Sequence, residues 1–309
     1  MDSNAIRLGT RGSELALWQA NHVKEILEKI QDRPVELVII STKGDEILDM
    51  PLKEIGSKGL FTMELEQEMI NGGIDAAIHS LKDLPTDMDE KFIISAFLER
   101  GSIKDALVFR KDSKATTLLE KLPDGCIIGT SSVRRQAQIL KLNPNVKIKD
   151  IRGNINTRVQ KLIDGEYDVI CLAAAGLERL EFDKRDDIIV KKLSPRYFLP
   201  AVAQGCIAVQ TLNKKDKKKL FQKLDHTETH DCVKMERELL QACGGGCSIP
   251  LGVFSEIVDN EYILKAILLS QDGKEYISLG DATRERHDAE LIQNIITDLK
   301  VRGKGHLLT

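Results

Sequence analysis

The sequence predicts an α/β protein with two sheet-and-helix lobes followed by a small α+β domain. Three observations point there. A strand-like run that ends in Gly-Thr and opens a helix occurs twice, at 5–13 and again at 126–135. Val35 to Ser41 is a nearly continuous run of β-branched apolar residues, the pattern of a parallel strand buried on both faces. From Leu251 onward the pattern becomes short strands separated by the turn signals Asp259-Asn260 and Asp272-Gly273, closed by one amphipathic stretch.

Taken in order, Ala5-Ile6-Arg7-Leu8 reads as a strand and Gly9-Thr10-Arg11-Gly12-Ser13 as the turn after it. Ser13 caps a helix in which Leu15, Trp18, His22, Ile26 and Ile30 recur at helical spacing. After the strand at 35–41, residues 42–59 form a connection long enough to be a lid. Phe61 to Ile70 is helical and stops at Asn71-Gly72-Gly73. A strand at Asp75 to Ile78 runs into His79-Ser80-Leu81-Lys82-Asp83-Leu84-Pro85. Strands at Phe92 to Leu98 and Ala106 to Arg110 flank Glu99-Arg100-Gly101-Ser102, a passage to a second lobe. There Cys126 to Gly129 is a strand, Thr130-Ser131-Ser132-Val133-Arg134-Arg135 opens a helix, and strands near Ile148 and at Val169 to Ala173 follow. Leu199 to Gly205 leads into a strand at Cys206 to Val209, Lys214 to Lys219 is a solvated helix face, and Glu228 to Ala242 is a helix. Strands at Leu251 to Ile257, Tyr262 to Leu269 and Glu275 to Leu279, with a helix at His287 to Lys300, complete the chain. The expected domains are 1–100 with 200–219, then 101–199, then 220–309.

Composition narrows the function. In 309 residues, 42% hydrophobic and 30% charged residues describe a soluble globular protein, and a net charge of -3 argues against a general nucleic-acid binder. The N-terminus carries no signal-peptide pattern and no apolar run is long enough to span a bilayer, so the expected location is the cytoplasm with no membrane partner. Six cysteines, scattered except for Cys243 and Cys247, form no disulfide framework.

Two features carry chemistry. Arg11, Arg134, Arg135, Arg152, Arg158 and Arg179 all fall at expected strand-to-helix junctions or first turns, where backbone N–H groups also converge. Each could be a solvated surface arginine, but as a set these planar forks suit a ligand bearing several carboxylates. Phosphate fits less well, because the sequence has no Gly-x-x-x-x-Gly-Lys-Ser/Thr loop. The second feature is Ala242-Cys243-Gly244-Gly245-Gly246-Cys247-Ser248-Ile249-Pro250, a glycine loop displaying a thiol. Two thiols without nearby histidines fall short of a zinc shell, so no metal is expected. Asp83, at the carboxyl end of a parallel strand, can exchange a proton with a leaving amine or offset a cation; the bland alternative is a turn residue paired with Lys82.

These residues, in this order, resemble the porphobilinogen deaminase (hydroxymethylbilane synthase) family. The resemblance runs through Gly9-Thr10-Arg11-Gly12-Ser13, Gly59-Leu60-Phe61, His79 to Pro85, Gly129 to Gln136, Arg152-Gly153-Asn154 with Thr157-Arg158, Ala174-Ala175-Gly176-Leu177, Leu199 to Gly205, and Gly245-Gly246-Cys247 with Pro250-Leu251-Gly252. It implies three domains, the first two resembling type II periplasmic binding proteins around a cleft. It implies a transferase that joins four porphobilinogen molecules head to tail onto a covalent dipyrromethane primer, releases ammonia, and hydrolyses off hydroxymethylbilane. By the same resemblance Asp83 is catalytic and Cys247 bears the cofactor by a thioether. Ser80, Lys82, Asp83, Thr130, Ser132, Arg134, Arg135 and Arg158 contact that cofactor; Arg11, Ser13, Arg152, Arg158, Arg179 and the loop residue Lys58 contact substrate. The chain departs from the family at Glu54, where lysine is common, at Gly244 and Ser248, where glutamate and glutamine are common, and in the extra thiol of Cys243. The expected partner is porphobilinogen alone, with no nucleic acid, and the expected state is a monomer. A non-catalytic two-lobe protein binding a polycarboxylate is the competing reading.

Overall fold

A computed structural model describes residues 4–42, 44, 62–113, 118–244, 249–286 and 288–302. They fall into two compact units, Met1–Gly101 with Gly205–Asp231, and Ser102–Gln204 with Cys232–Thr309. In the first, β1 (Ile6–Thr10) pairs in parallel with β2 (Val35–Ile39) and β3 (Ala76–Ser80). β10 (Ile207–Leu212) inserts antiparallel between β3 and β4 (Phe92–Phe97). Helix α1 (Glu14–Ile30) covers one face, where Val23 and Leu27 meet Ile6, Leu8, Ile78, Val209 and Phe221. Helix α2 (Met63–Ile70) brings Leu65 and Met69 against Ile74, Ala77 and Phe92. Ser13 caps α1 as expected, its side chain accepting from the Ala16 N–H.

Two expectations need correction. The buried stripe of α1 is Gln19, Ala20, Val23 and Leu27; of the helically spaced set Leu15, Trp18, His22, Ile26 and Ile30, Ile26 packs half-buried against the core while Trp18 and Ile30 are exposed. Trp18 and His22 instead stack on each other with ring centroids 5.1 Å apart. Nor is the 35–39 strand buried on both faces. It lies at the sheet edge, where only Val35 is buried and Ile39 is 62% exposed.

The second unit repeats the first. It contains β5 (Asp105–Arg110), β6 (Ile127–Gly129), α3 (Val133–Leu142), β7 (Lys147–Lys149), α4 (Ile155–Ile163), β8 (Val169–Ala173), α5 (Ala174–Arg179) and β9 (Ile188–Lys192). Its sheet order, β7-β6-β8-β5-β9, matches β2-β1-β3-β10-β4 position by position, with the fourth strand antiparallel in both. The antiparallel strand precedes the parallel strands of its sheet as β5 and follows those of the other sheet as β10. The sequence repeat is therefore structural: Gly9-Thr10 ends β1, and Gly129 ends the equivalent strand β6 with Thr130 directly after it. Gly129 permits a close approach, since a Cβ there would lie 2.8 Å from Tyr167 Cδ1.

Past helices α6 (Lys215–Phe221) and α7 (Thr227–Ala242), strands β11 (Leu251–Val258), β12 (Glu261–Leu269) and β13 (Tyr276–Thr283) form an antiparallel meander followed by α8 (Ala289–Arg302). Asp259 and Asn260 both have positive φ, 52° and 62°, as a two-residue hairpin turn requires. β13 continues to Thr283, four residues beyond the expected end at Leu279. This sheet lies within the second compact unit and packs on α3, with Ile267 and Leu269 meeting Ala137 and Leu199. The Val253 N–H donates to the Pro200 carbonyl.

Candidate functional site

In the first unit, β3 delivers the segment that carries Asp83. Leu81 and Leu84 are buried on either side of a single 3-10 turn, Leu81–Asp83, closed by the Leu84 N–H to the Leu81 carbonyl. The turn is thereby anchored at both ends, with Lys82 half-buried and the Asp83 carboxylate exposed. Ser80 Oγ accepts from Nε2 of buried Gln19 at 2.7 Å, so α1 braces the same strand end. Arg11 and Ser13 are half-buried in the β1–α1 connection.

His79, one residue earlier, has a different job. Its Nε2 lies 2.9 Å from Gln210 Oε1, and Gln210 Nε2 donates to Glu66 Oε1 at 2.8 Å. Because the carboxylate takes the amide N–H, the amide oxygen faces the ring and His79 carries its proton on Nε2. Burial lowers the imidazole pKa to about 4 against the Gln210 bond, with the Arg11 charge adding to the fall. Burial likewise pushes the Glu66 carboxyl up. His79 is thus a neutral brace joining β3, β10 and α2.

In the second unit, Thr130 is buried and its Oγ1 accepts from the Ser132 N–H at 3.3 Å, while the Ser132 side chain caps α3 by accepting from the Arg135 N–H. Arg134 and Arg135, in the first turn of α3, are buried around the carboxylate of Asp105. Arg134 Nη1 donates to Oδ2 at 2.7 Å, and Arg135 Nε and Nη2 reach Oδ1 at 2.8 and 2.7 Å. Arg134 also donates to the Leu199 carbonyl, Arg135 to the Cys171 carbonyl, and Gln204 Nε2 to Asp105 Oδ1. Burial acting alone would raise the Asp105 pKa; the two arginine charges and their hydrogen bonds overcome it and hold the carboxyl at about 2. Two guanidiniums on one carboxylate leave the cluster with a net positive charge.

Two more arginines follow in the chain. Arg152 is half-buried between β7 and α4, and Arg158, in α4, donates from Nε to the Gly153 carbonyl at 2.7 Å. Asn154 caps α4. Arg179 is half-buried at the end of α5, so it lies in a last turn and not at the first-turn position expected of the set. Asp105, which no sequence motif singled out, organises two of the six arginines; a carboxylate directly before the apolar run Ala106–Phe109 was the available signal. Cys247 and Lys58 lie outside the described residues. Cys243 is buried, and burial pushes its thiol pKa up, which disfavours a reactive thiolate there. Among the described residues no group of three or more His, Cys, Asp or Glu is placed to hold a metal ion, and no helix is long and apolar enough to cross a membrane.

Comparison with known proteins gives a consistent picture. The family model described as "Porphobilinogen deaminase, dipyromethane cofactor binding domain" matches residues 6–220, and "Porphobilinogen deaminase, C-terminal domain" matches residues 230–297. A porphobilinogen deaminase of Syntrophomonas wolfei subsp. wolfei is 42% identical over 275 residues, covering 88% of this chain and 88% of that one. One from Geobacter sp. (strain M21) is 40% identical over 305 residues, covering 98% and 93%. Among solved structures, the periplasmic VFT2 domain of Bordetella pertussis BvgS overlaps 72% of this chain and 87% of its own at 14% identity, with a TM-score of 0.42. The two-lobe architecture rests on the strand orders above.

Proposed function

The chain belongs to the porphobilinogen deaminase family, and on that premise we propose which of its residues carry the reaction. The enzyme is a transferase of tetrapyrrole biosynthesis that condenses four porphobilinogen molecules onto a dipyrromethane primer, releasing ammonia and then hydroxymethylbilane. The observation that carries the residue reading is the net-positive Arg134–Asp105–Arg135 cluster, together with Arg152 on the following loop and Arg158 in α4. Every pyrrole ring of substrate and product bears an acetate and a propionate, so a growing chain accumulates carboxylates, which the net positive charge of the cluster attracts. This donor set fits a dipyrromethane, which when bound supplies the terminal pyrrole carbon to which each incoming ring is joined.

Arg134, Arg135 and Arg158, with Thr130 and Ser132, hold the cofactor side; Arg11, Ser13, Arg152 and Arg179, with Lys58, orient the incoming substrate. Ser80 and Lys82 flank Asp83. Its carboxylate hydrogen-bonds the pyrrole N–H, offsets the positive charge that develops as the aminomethyl C–N bond breaks, and manages the proton at the departing nitrogen. Cys247 is the attachment point: it has Gly245-Gly246 before it and Pro250-Leu251-Gly252 after it, whereas Cys243 is buried. The reading includes a monomer working in the cytoplasm, and sedimentation at the mass of one chain tests the first part.

Intact-mass measurement of protein made in a haem-synthesising host is expected to show an adduct of two pyrrole units, lost in Cys247→Ser and kept in Cys243→Ser. An unmodified wild-type mass, together with no colour on treatment with an aldehyde reagent for pyrroles, overturns the reading in favour of a simple polycarboxylate-binding protein.

A further inference from the structure

We propose that Ser131 is a positioning residue for substrate recognition, setting the spacing between the loop that leads to Arg134 and Arg135 and the loop that carries Arg152. Its hydroxyl donates to the Ile151 carbonyl at 2.9 Å and accepts from the Ile151 N–H at 3.0 Å. One O–H and one lone pair meet both backbone groups of a single residue, so the side chain acts as a strand partner. It extends the β6–β7 ladder, whose last rungs are the Gly129–Lys149 pair and the Thr130 N–H to the Lys149 carbonyl at 3.0 Å. Ile151 is fully buried, so the clamp holds a fixed point of the Arg152 loop.

A second side chain holds the same two loops. Tyr167 is buried, its hydroxyl donates to the Asp150 carbonyl at 2.6 Å, and its ring fills the space that Gly129 leaves open. On the far side, Arg158 Nε holds the Gly153 carbonyl, where φ is +108°. Residues 150, 151 and 153 are each fixed by a different side chain, and Arg152 sits between them. Ser131 therefore spends its hydrogen bonds on the protein and acts on the substrate through Arg152. The inference rests on the assignment of Arg152 to substrate carboxylates.

The test uses protein confirmed by mass to carry its cofactor. Ser131→Ala is expected to raise KM for porphobilinogen about tenfold with kcat within about twofold of wild type, because a side chain displaced by a fraction of an ångström loses its aligned ion pair. Ser131→Thr, which keeps the hydroxyl, restores KM. Tyr167→Phe keeps the ring against Gly129 and removes only the bond to Asp150, so it remains informative if the alanine variant fails to fold; a KM increase of about threefold is expected for one lost hydrogen bond. Added to Arg152→Gln, the Ser131→Ala change is expected to give no further increase, since both act through one contact. A raised KM in Arg152→Gln with unchanged KM in Ser131→Ala and Tyr167→Phe overturns the proposal alone, as does full additivity in the double variant. An unchanged KM in Arg152→Gln overturns the Arg152 assignment and the proposal with it.

Discussion

Asp83→Asn folds, keeps its cofactor, and turns over porphobilinogen at least about a hundredfold more slowly, the loss expected when a group handling a proton in the transition state is removed. The structure separates this effect from stability. The turn holding Asp83 is anchored by buried Leu81 and Leu84 and by the Leu84 N–H to Leu81 carbonyl bond, none of which the substitution touches. The side chain itself is exposed, and isosteric changes at such positions shift stability by no more than about 0.5 kcal/mol. The amide can still accept a hydrogen bond from a pyrrole N–H, but it has neither the charge to offset a developing cation nor the basicity to take a proton. Ammonia release in a single turnover, the melting temperature and the intact mass measure the three quantities separately. Turnover within about threefold of wild type, well short of a general acid–base contribution, removes Asp83 from the chemistry.

Much of the fold could be read from sequence because its signals are local. The Gly-Thr junctions after β1 and β6 announced a repeat, and the two sheets have the same strand order. What went unseen depends on residues far apart in the chain. The face of α1 was misread because Gln19 looks like a surface residue; it is buried to brace Ser80, 61 positions away. β2 has the composition of an interior strand, but its place at the sheet edge is set by which strands pair, and composition does not encode that. His79 stands beside Ser80, Lys82 and Asp83 in sequence and looked like one of their kind, yet its partner is Gln210, 131 positions on, across a buried ladder. Arginines at helix starts were visible as a class. That two of them share one buried carboxylate was not, because Asp105 lies 29 and 30 residues before them in the chain. The same distance effect hid Ser131, whose neighbours Thr130 and Ser132 were the hydroxyls singled out.

Asp105 is where that hidden arrangement has its largest consequence. Asp105→Ala is expected to cost about 3–5 kcal/mol of stability, the range for removing one member of a buried charge cluster and leaving the others uncompensated. Here the remaining members are two guanidiniums of like charge held close together at the first turn of α3, where the helix dipole adds to the repulsion. Asp105→Asn keeps the shape and removes the charge, which isolates the electrostatic part and gives a prediction in pH. The carboxyl is held at about 2 in the folded protein, below the ordinary 3.8. A lowered folded-state pKa means that the unfolded chain binds the proton more readily, so the stabilisation is complete above about pH 4 and is lost as pH falls through about 2. Its size is roughly 2 kcal/mol by that linkage. Urea unfolding between pH 7 and pH 2.5 is therefore expected to show the wild-type advantage over Asp105→Asn shrinking as the acid limit is approached. Other carboxylates with lowered pKa values, such as Asp75, Asp187, Asp272 and Asp288, titrate in both proteins and cancel in the difference. A gap that stays constant with pH means that Asp105 holds the arginines by shape and not by charge. No gap at all means that the cluster contributes nothing to the fold, and Arg134 and Arg135 must then be held in place by the Leu199 and Cys171 carbonyls alone.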